Sequence, residues 1–164
     1  TRGVLRQGSA CSPSCSITRY ESGCVRPALS SDCRDIFDMI EAAGGYVALD
    51  GTETGERTMP APFDHRALRD DSLEALADAY FDTIPDPFRR PNDEFYKWLK
   101  RETDARGIRA IILRRYVWCD TWHAEAQRIK EWSGLPFLHL DVDGSDGDSA
   151  RIASRIQSLM ETLK

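Results

Sequence analysis

Apolar positions along the chain fall into alternating helix-like and strand-like spacings from Asp35 onward. Ile36, Phe37, Met39 and Ile40 recur at helical spacing, and Gly44-Gly45 supplies a C-terminal stop that tolerates positive φ. Tyr46-Val47-Ala48-Leu49 then reads as a strand of a buried sheet. Residues 50–70 form a long connection carrying Thr52, Thr54, Gly55, Arg57 and the pair Pro60 and Pro62; loops of that length are usually functional or disordered. Asp71, with Glu74 three residues on, resembles a capping arrangement. It precedes an amphipathic stripe of Leu73, Leu76, Ala77, Tyr80 and Phe81, which Ile84-Pro85-Asp86-Pro87 breaks. Asn92 is placed to cap the next helix, with Phe95, Trp98 and Leu99 on its apolar face and Gly107 at its end. The β-branched run Ile108–Leu113 predicts a strand covered on both faces, and a helix follows over about 121–132. Gly134-Leu135-Pro136 turns the chain into a strand over Phe137–Asp141, and Ile152, Ile156, Leu159, Met160 and Leu163 define a last helix.

Strands alternating with helices imply an α/β fold, a parallel sheet joined by right-handed crossovers. The pattern yields three strands. A fourth is expected before the first helix, and Gly3-Val4-Leu5 is the best fragment for it. Residues 1–33, rich in Ser, Cys, Arg, Gly and Pro, read as an irregular or disordered segment ahead of a domain spanning 34–164. Length and composition (164 residues, 41% hydrophobic, 30% charged) are those of one soluble domain with a real core. A net charge of -5 argues against nucleic acid as the main partner. No stretch approaches the roughly 18 apolar residues of a membrane span, and residues 1–30 lack the apolar core of a secretory signal. A cytoplasmic location is the expectation.

Four of the five cysteines lie early (Cys11, Cys15, Cys24, Cys33), at spacings that match no zinc pattern. The fifth, Cys119, stands where the buried strand runs into the following helix. In open parallel sheets ligands collect at the carboxyl ends of the strands, beside helix N-termini whose free N–H groups and dipole favour an anion. Such a position suits a thiolate, the form that binds metal or attacks. Residue type alone favours the other reading, a small hydrophobe packed under Trp118 and Trp122.

Three stretches give the chain a family resemblance: Ile40-Glu41-Ala42-Ala43-Gly44-Gly45 with Thr54-Gly55-Glu56-Arg57; Gly107–Ile112 running into Trp118-Cys119-Asp120 and Glu125; and Gly134–Asp141 with the closing Arg155–Glu161. In that order they resemble the C-terminal domain of the 2-hydroxyacyl-CoA dehydratase and benzoyl-CoA reductase subunits. The resemblance implies a flavodoxin-like three-layer α/β/α domain with a small sheet of three to four strands. It also implies that Cys119 ligates a [4Fe–4S] cluster, and that an acyl-CoA thioester is reduced by one electron to a ketyl radical in the cytoplasm of an anaerobic metabolism. A second homologous subunit and an ATP-dependent activator protein are the implied partners. Arg57 is assigned to the CoA phosphates or a subunit contact, against a plain loop-closing arginine. Family subunits are more than twice as long, with an N-terminal domain that supplies the other cluster cysteines, so no ligand role is carried onto Cys11, Cys15, Cys24 or Cys33. A truncation or shifted reading frame would account for the unusual start. Thr121 is a second departure, standing where a proline commonly follows Cys-Asp.

His123, one turn past Cys119, is a catalytic candidate beside a cluster sulfur or a substrate carbonyl, and Glu125 is a second. Asp120 reads as the N-cap, and His139 as a core or sheet-face histidine. One thiolate does not hold a cubane, so the isolated chain is expected to be inactive. Two other readings stand beside this one: a non-catalytic flavodoxin-like interaction domain with a structural Cys119, and a small thiol enzyme pairing Cys119 with His123.

Overall fold

The computed structural model describes residues 15–21, 31–60, 62, 65–143 and 149–164. Gly3-Val4-Leu5, Cys11 and Cys24 lie outside them. Four parallel strands, β1 (Cys15–Glu21), β2 (Gly45–Asp50), β3 (Ala110–Tyr116) and β4 (Phe137–Val142), form one sheet in the order β2-β1-β3-β4. That order, with helices on both faces, is the flavodoxin-like arrangement of a doubly wound sheet. The fourth strand of the described sheet comes from Cys15–Glu21, inside the stretch read as irregular. Its Ile17 lies level with Val47 on one side and Ala110 on the other. Cys15-Ser16-Ile17-Thr18-Arg19-Tyr20-Glu21 carries too few apolar residues to announce a central strand; pairing on both sides makes it one.

The alternation along β3 sorts the helices into layers. Ala110 and Ile112 pack with Ile36 and Ile40 of α1 (Ser31–Ala42) and with Ile152, Ile156 and Met160 of α6 (Ser149–Thr162). Ile111 and Leu113 pack on the other face with Phe95 and Leu99 of α4 (Asp93–Arg106) and with Trp122, Ala126 and Ile129 of α5 (Asp120–Ser133). The strand begins two residues later than the apolar run and extends through Arg114 and Arg115 to Tyr116, because β4 pairs with it as far as Tyr116–Val142.

Gly44, Gly107 and Gly134 take positive φ where α1, α4 and α5 end. Asp71 caps α3 (Ser72–Ala77), which follows the short α2 (Ala67–Asp70), by accepting from the amides of Leu73 and Glu74. The stripe beyond it does not enter the core: Leu73 and Phe81 are 78% and 79% exposed, and Leu76 and Tyr80 are exposed too. A wide turn of π type replaces the helix over Asp78–Asp82. No helix among the described residues is long and apolar enough to cross a membrane.

Candidate functional site

Beyond β3 the backbone makes a tight turn before α5. The Val117 amide donates to Val142 O and the Cys119 amide to Tyr116 O, each at 3.0 Å, so the end of β3 is tied to β4 and then bent. Cys119 occupies the N-cap position of α5 in a non-helical conformation, and its carbonyl accepts from the His123 amide at 3.0 Å. Asp120 is the first helical residue and not the cap, and no side chain caps α5 by hydrogen bonding. The thiol is free and half-buried. One side rests on the cluster built around Phe95, Leu99 and Trp122. Trp122 is fully buried, edge-on to Phe95 and Phe88 at centroid distances of 6.2 and 5.9 Å. Trp118 points the other way, exposed and stacked on Tyr116 at 5.1 Å and 11°. The thiol therefore packs over one tryptophan rather than between two, and stays at the carboxyl edge of the sheet.

Glu125 faces a different quarter. It is fully buried, accepting from Asn92 Nδ2 at 3.0 Å and Tyr96 OH at 2.6 Å and pairing with Arg90 at 3.0 Å. A looser pair with Arg128 at 3.5 Å completes its surroundings. Asn92, expected as the cap of α4, makes no capping bond because its side chain is spent on Glu125 and Pro87 O. Burial and the hydrogen bond to Glu125 push the Tyr96 hydroxyl well above the ordinary tyrosine range. Glu125 thus ties α5 to α4 and to the loop before it.

Arg57 is 3% exposed. Its Nε donates to Gly51 O at 3.1 Å and its Nη1 to Pro85 O at 3.2 Å, which closes the loop after β2 onto the segment before α4. That loop turns low on the sheet. Asp50, the last residue of β2, lies level with Arg19 and through it with Ile112, whereas β3 runs on to Tyr116. Glu56 then reaches back to Arg106 at the end of α4, at 2.6 Å. β2 therefore ends well short of the end of β3, and the loop after it turns lower on the carboxyl side of the sheet than the Cys119 turn.

His123 is exposed and faces, with His139, a cavity of about 380 Å³ between α5 and β4. No hydrogen bond joins it to Cys119 among the described residues. His139 is a sheet-face residue, its Nε2 3.3 Å from Asp141 Oδ1. Burial and then the Arg115 guanidinium lower its pKa below the usual histidine value. The structure thus brings His123 beside His139 and Arg115 and turns Glu125 away from them. Arg115 was missed as a site residue because an arginine at a strand end reads as solvated.

A four-iron cluster takes thiolates, typically four. Among the described residues no group of three or more His, Cys, Asp or Glu is arranged to hold a metal ion. Cys15 opens β1 at the opposite edge of the sheet, and Cys33 lies in the first turn of α1. The described side chains therefore offer one ligand and do not by themselves fit the cluster.

A family model described as 2-hydroxyglutaryl-CoA dehydratase, D-component, matches residues 27–163. No curated protein matches the chain.

Proposed function

The chain belongs to the family of the 2-hydroxyglutaryl-CoA dehydratase D-component, and on that footing we propose that it is a component of a dehydratase acting on a 2-hydroxyacyl-CoA thioester. The proposal assigns Cys119 as one thiolate ligand of a [4Fe–4S] cluster whose other ligands lie outside the described side chains. Bound there, the cluster would supply the single electron that makes a ketyl of the thioester carbonyl. The observation that carries this reading is the half-buried free thiol at the N-cap of α5, on the carboxyl edge of the sheet and inside the family match. A helix N-terminus stabilises negative charge on a thiolate, and on a cluster bound to it.

This chain's own residues have three tasks in that reading. Trp122 and its aromatic neighbours keep water from one side of the thiol. The network of Glu125, Asn92 and Tyr96 holds α5, and with it Cys119, at a set height over the sheet. Arg57 shapes the loop after β2 as an internal tie. His123 is the candidate that faces open space and is the one placed to meet substrate. The partners in the proposal are a second homologous subunit and an ATP-dependent activator in the cytoplasm, and the exposed residues Leu73, Leu76 and Phe81 suit such a contact.

Anaerobic co-expression with the homologous subunit and the activator, followed by an assay of 2-enoyl-CoA formation from 2-hydroxyacyl-CoA, tests the proposal. Cys119→Ser should abolish turnover and lower the iron content of the complex while leaving its assembly intact. Unchanged iron and turnover in Cys119→Ser would overturn the assignment. The isolated chain should bind no full four-iron complement on anaerobic reconstitution. A structural Cys119 in an interaction domain predicts instead that Cys119→Ser lowers stability alone.

A further inference from the structure

The cavity between α5 and β4 has a wall chemistry of which the proposed function uses only His123. Its lining includes Arg115, Lys130 and Arg155 as permanent cations, the imidazoles of His123 and His139, and the ring of Phe137, with no carboxylate. These come from four elements. Arg115 ends β3, Phe137 and His139 belong to β4, His123 and Lys130 to α5, and Arg155 reaches in from α6. Asp141 on β4 is engaged: it accepts from Arg115 Nε at 2.7 Å and lies 3.3 Å from His139 Nε2. Glu131 accepts from the lining residue Gln127, and three cations less these two carboxylates still leave the wall positive.

Arg115 is the residue that makes this more than a basic patch. It is 4% exposed, and its Nη1 is buried with no hydrogen-bond partner. His139 Nε2 is likewise buried, its approach to Asp141 falling outside hydrogen-bond geometry. Buried polar atoms are nearly always paired, and leaving one dry is costly. Asp141 fixes the guanidinium from one side while Nη1 lacks an acceptor. Burial and the Arg115 and Arg155 charges oppose protonation of His139, with Asp141 acting the other way. A volume of about 380 Å³ exceeds what one small ion needs and falls within the roughly 300–1,000 Å³ of small-molecule pockets.

We propose that this cavity is a binding site for a multiply phosphorylated small molecule, with Arg115, Lys130 and Arg155 holding a phosphate or diphosphate group. Arg115 meets the phosphate oxygens through its planar fork, and Lys130 and Arg155 close over them from α5 and α6. The remaining volume, against Phe137, takes the organic part of the ligand. The inference stands on the cavity alone. Coenzyme A carries such phosphates, and so do free nucleotides.

Calorimetric titration of the purified chain with inorganic pyrophosphate at low salt tests it. Saturable binding is expected, with Lys130→Gln and Arg155→Gln each weakening it about tenfold, the worth of one charge-assisted hydrogen bond. Both residues sit on helices away from the sheet core, so these variants report even where Arg115→Lys misfolds. Lys97→Gln, a surface change on α4, should leave binding unchanged. No saturable binding up to about 10 mM, an equal loss in Lys97→Gln, or tighter binding of glutarate than of pyrophosphate would overturn the proposal. Titration with coenzyme A and with adenosine 3′,5′-bisphosphate separates the sources. Coenzyme A binding tighter than pyrophosphate supports the site and joins it to the dehydratase reading. Pyrophosphate and bisphosphate binding without any gain from coenzyme A supports the site and counts against that reading alone.

Discussion

Replacing Glu125 probes how α5 is held. In Glu125→Ala, Asn92 Nδ2 loses its acceptor where it is buried, and Tyr96 OH loses its acceptor where it is partly buried. A stranded buried donor costs about 1–3 kcal/mol. Asn92 keeps a long contact of 3.4 Å to Pro87 O, which places its loss at the low end. Arg90 and Arg128 are more than half exposed and can turn back to solvent, so their pairs with Glu125 add about 0–1 kcal/mol. Removing the carboxylate also relieves the cost of burying its charge. The net expectation is a loss of about 3 kcal/mol for Glu125→Ala, or about 6–12 °C in Tm for a chain of this size. Glu125→Gln keeps an acceptor for Asn92 and offers Tyr96 OH a donor, so it should lose about 1 kcal/mol. Urea unfolding followed by circular dichroism gives both values, with the slope unchanged if only stability has moved. Glu125→Ala within about 0.5 kcal/mol of the parent would refute the reasoning. So would Glu125→Gln as damaging as Glu125→Ala, which would mean that charge and not donor satisfaction holds the helix.

Gly134 ends α5 at φ 61° with nothing within 4 Å of where a Cβ would stand, so Gly134→Ala should cost about 1 kcal/mol through backbone strain alone, and Gly134→Asn less; equal stability of all three would contradict this. The acid limb of stability should begin near the histidine range. The folded-state pKa of His139 is held below 6.5 by burial and by Arg115, so the unfolded chain takes up the proton first and stability falls as pH drops through and below 6.5. Glu56 and Asp141, both lowered, add losses of the same sign below 4.5 and 3.8. His139→Gln should flatten the upper part of this limb in unfolding curves taken from pH 7 to 5, and an unaltered slope would sink the assignment.

Much of the scaffold was legible in the order of residue types. The β-branched run of β3, the alternation in β4, the apolar face of α6 and the glycines that end α1, α4 and α5 are local signals, each set by side chains within a few positions of one another. They were enough to give an α/β chain with parallel strands, and they placed Cys119 where a strand meets a helix. Cys15–Glu21 carried no such signal, because a central strand made of polar residues is defined by partners on both sides and not by its own pattern. The stripe of Leu73, Leu76, Tyr80 and Phe81 misled for the converse reason: periodicity shows that a face is apolar, not what covers it. The site followed the same division. Cys119 was found from sequence because its position relative to two elements is local information. Glu125 became a buried anchor, and Arg115 the wall of a cavity, only through residues that folding brings from 26 to 33 positions away. Whether a charged side chain is solvated or enclosed depends on which distant groups arrive beside it, and only the tertiary structure decides that.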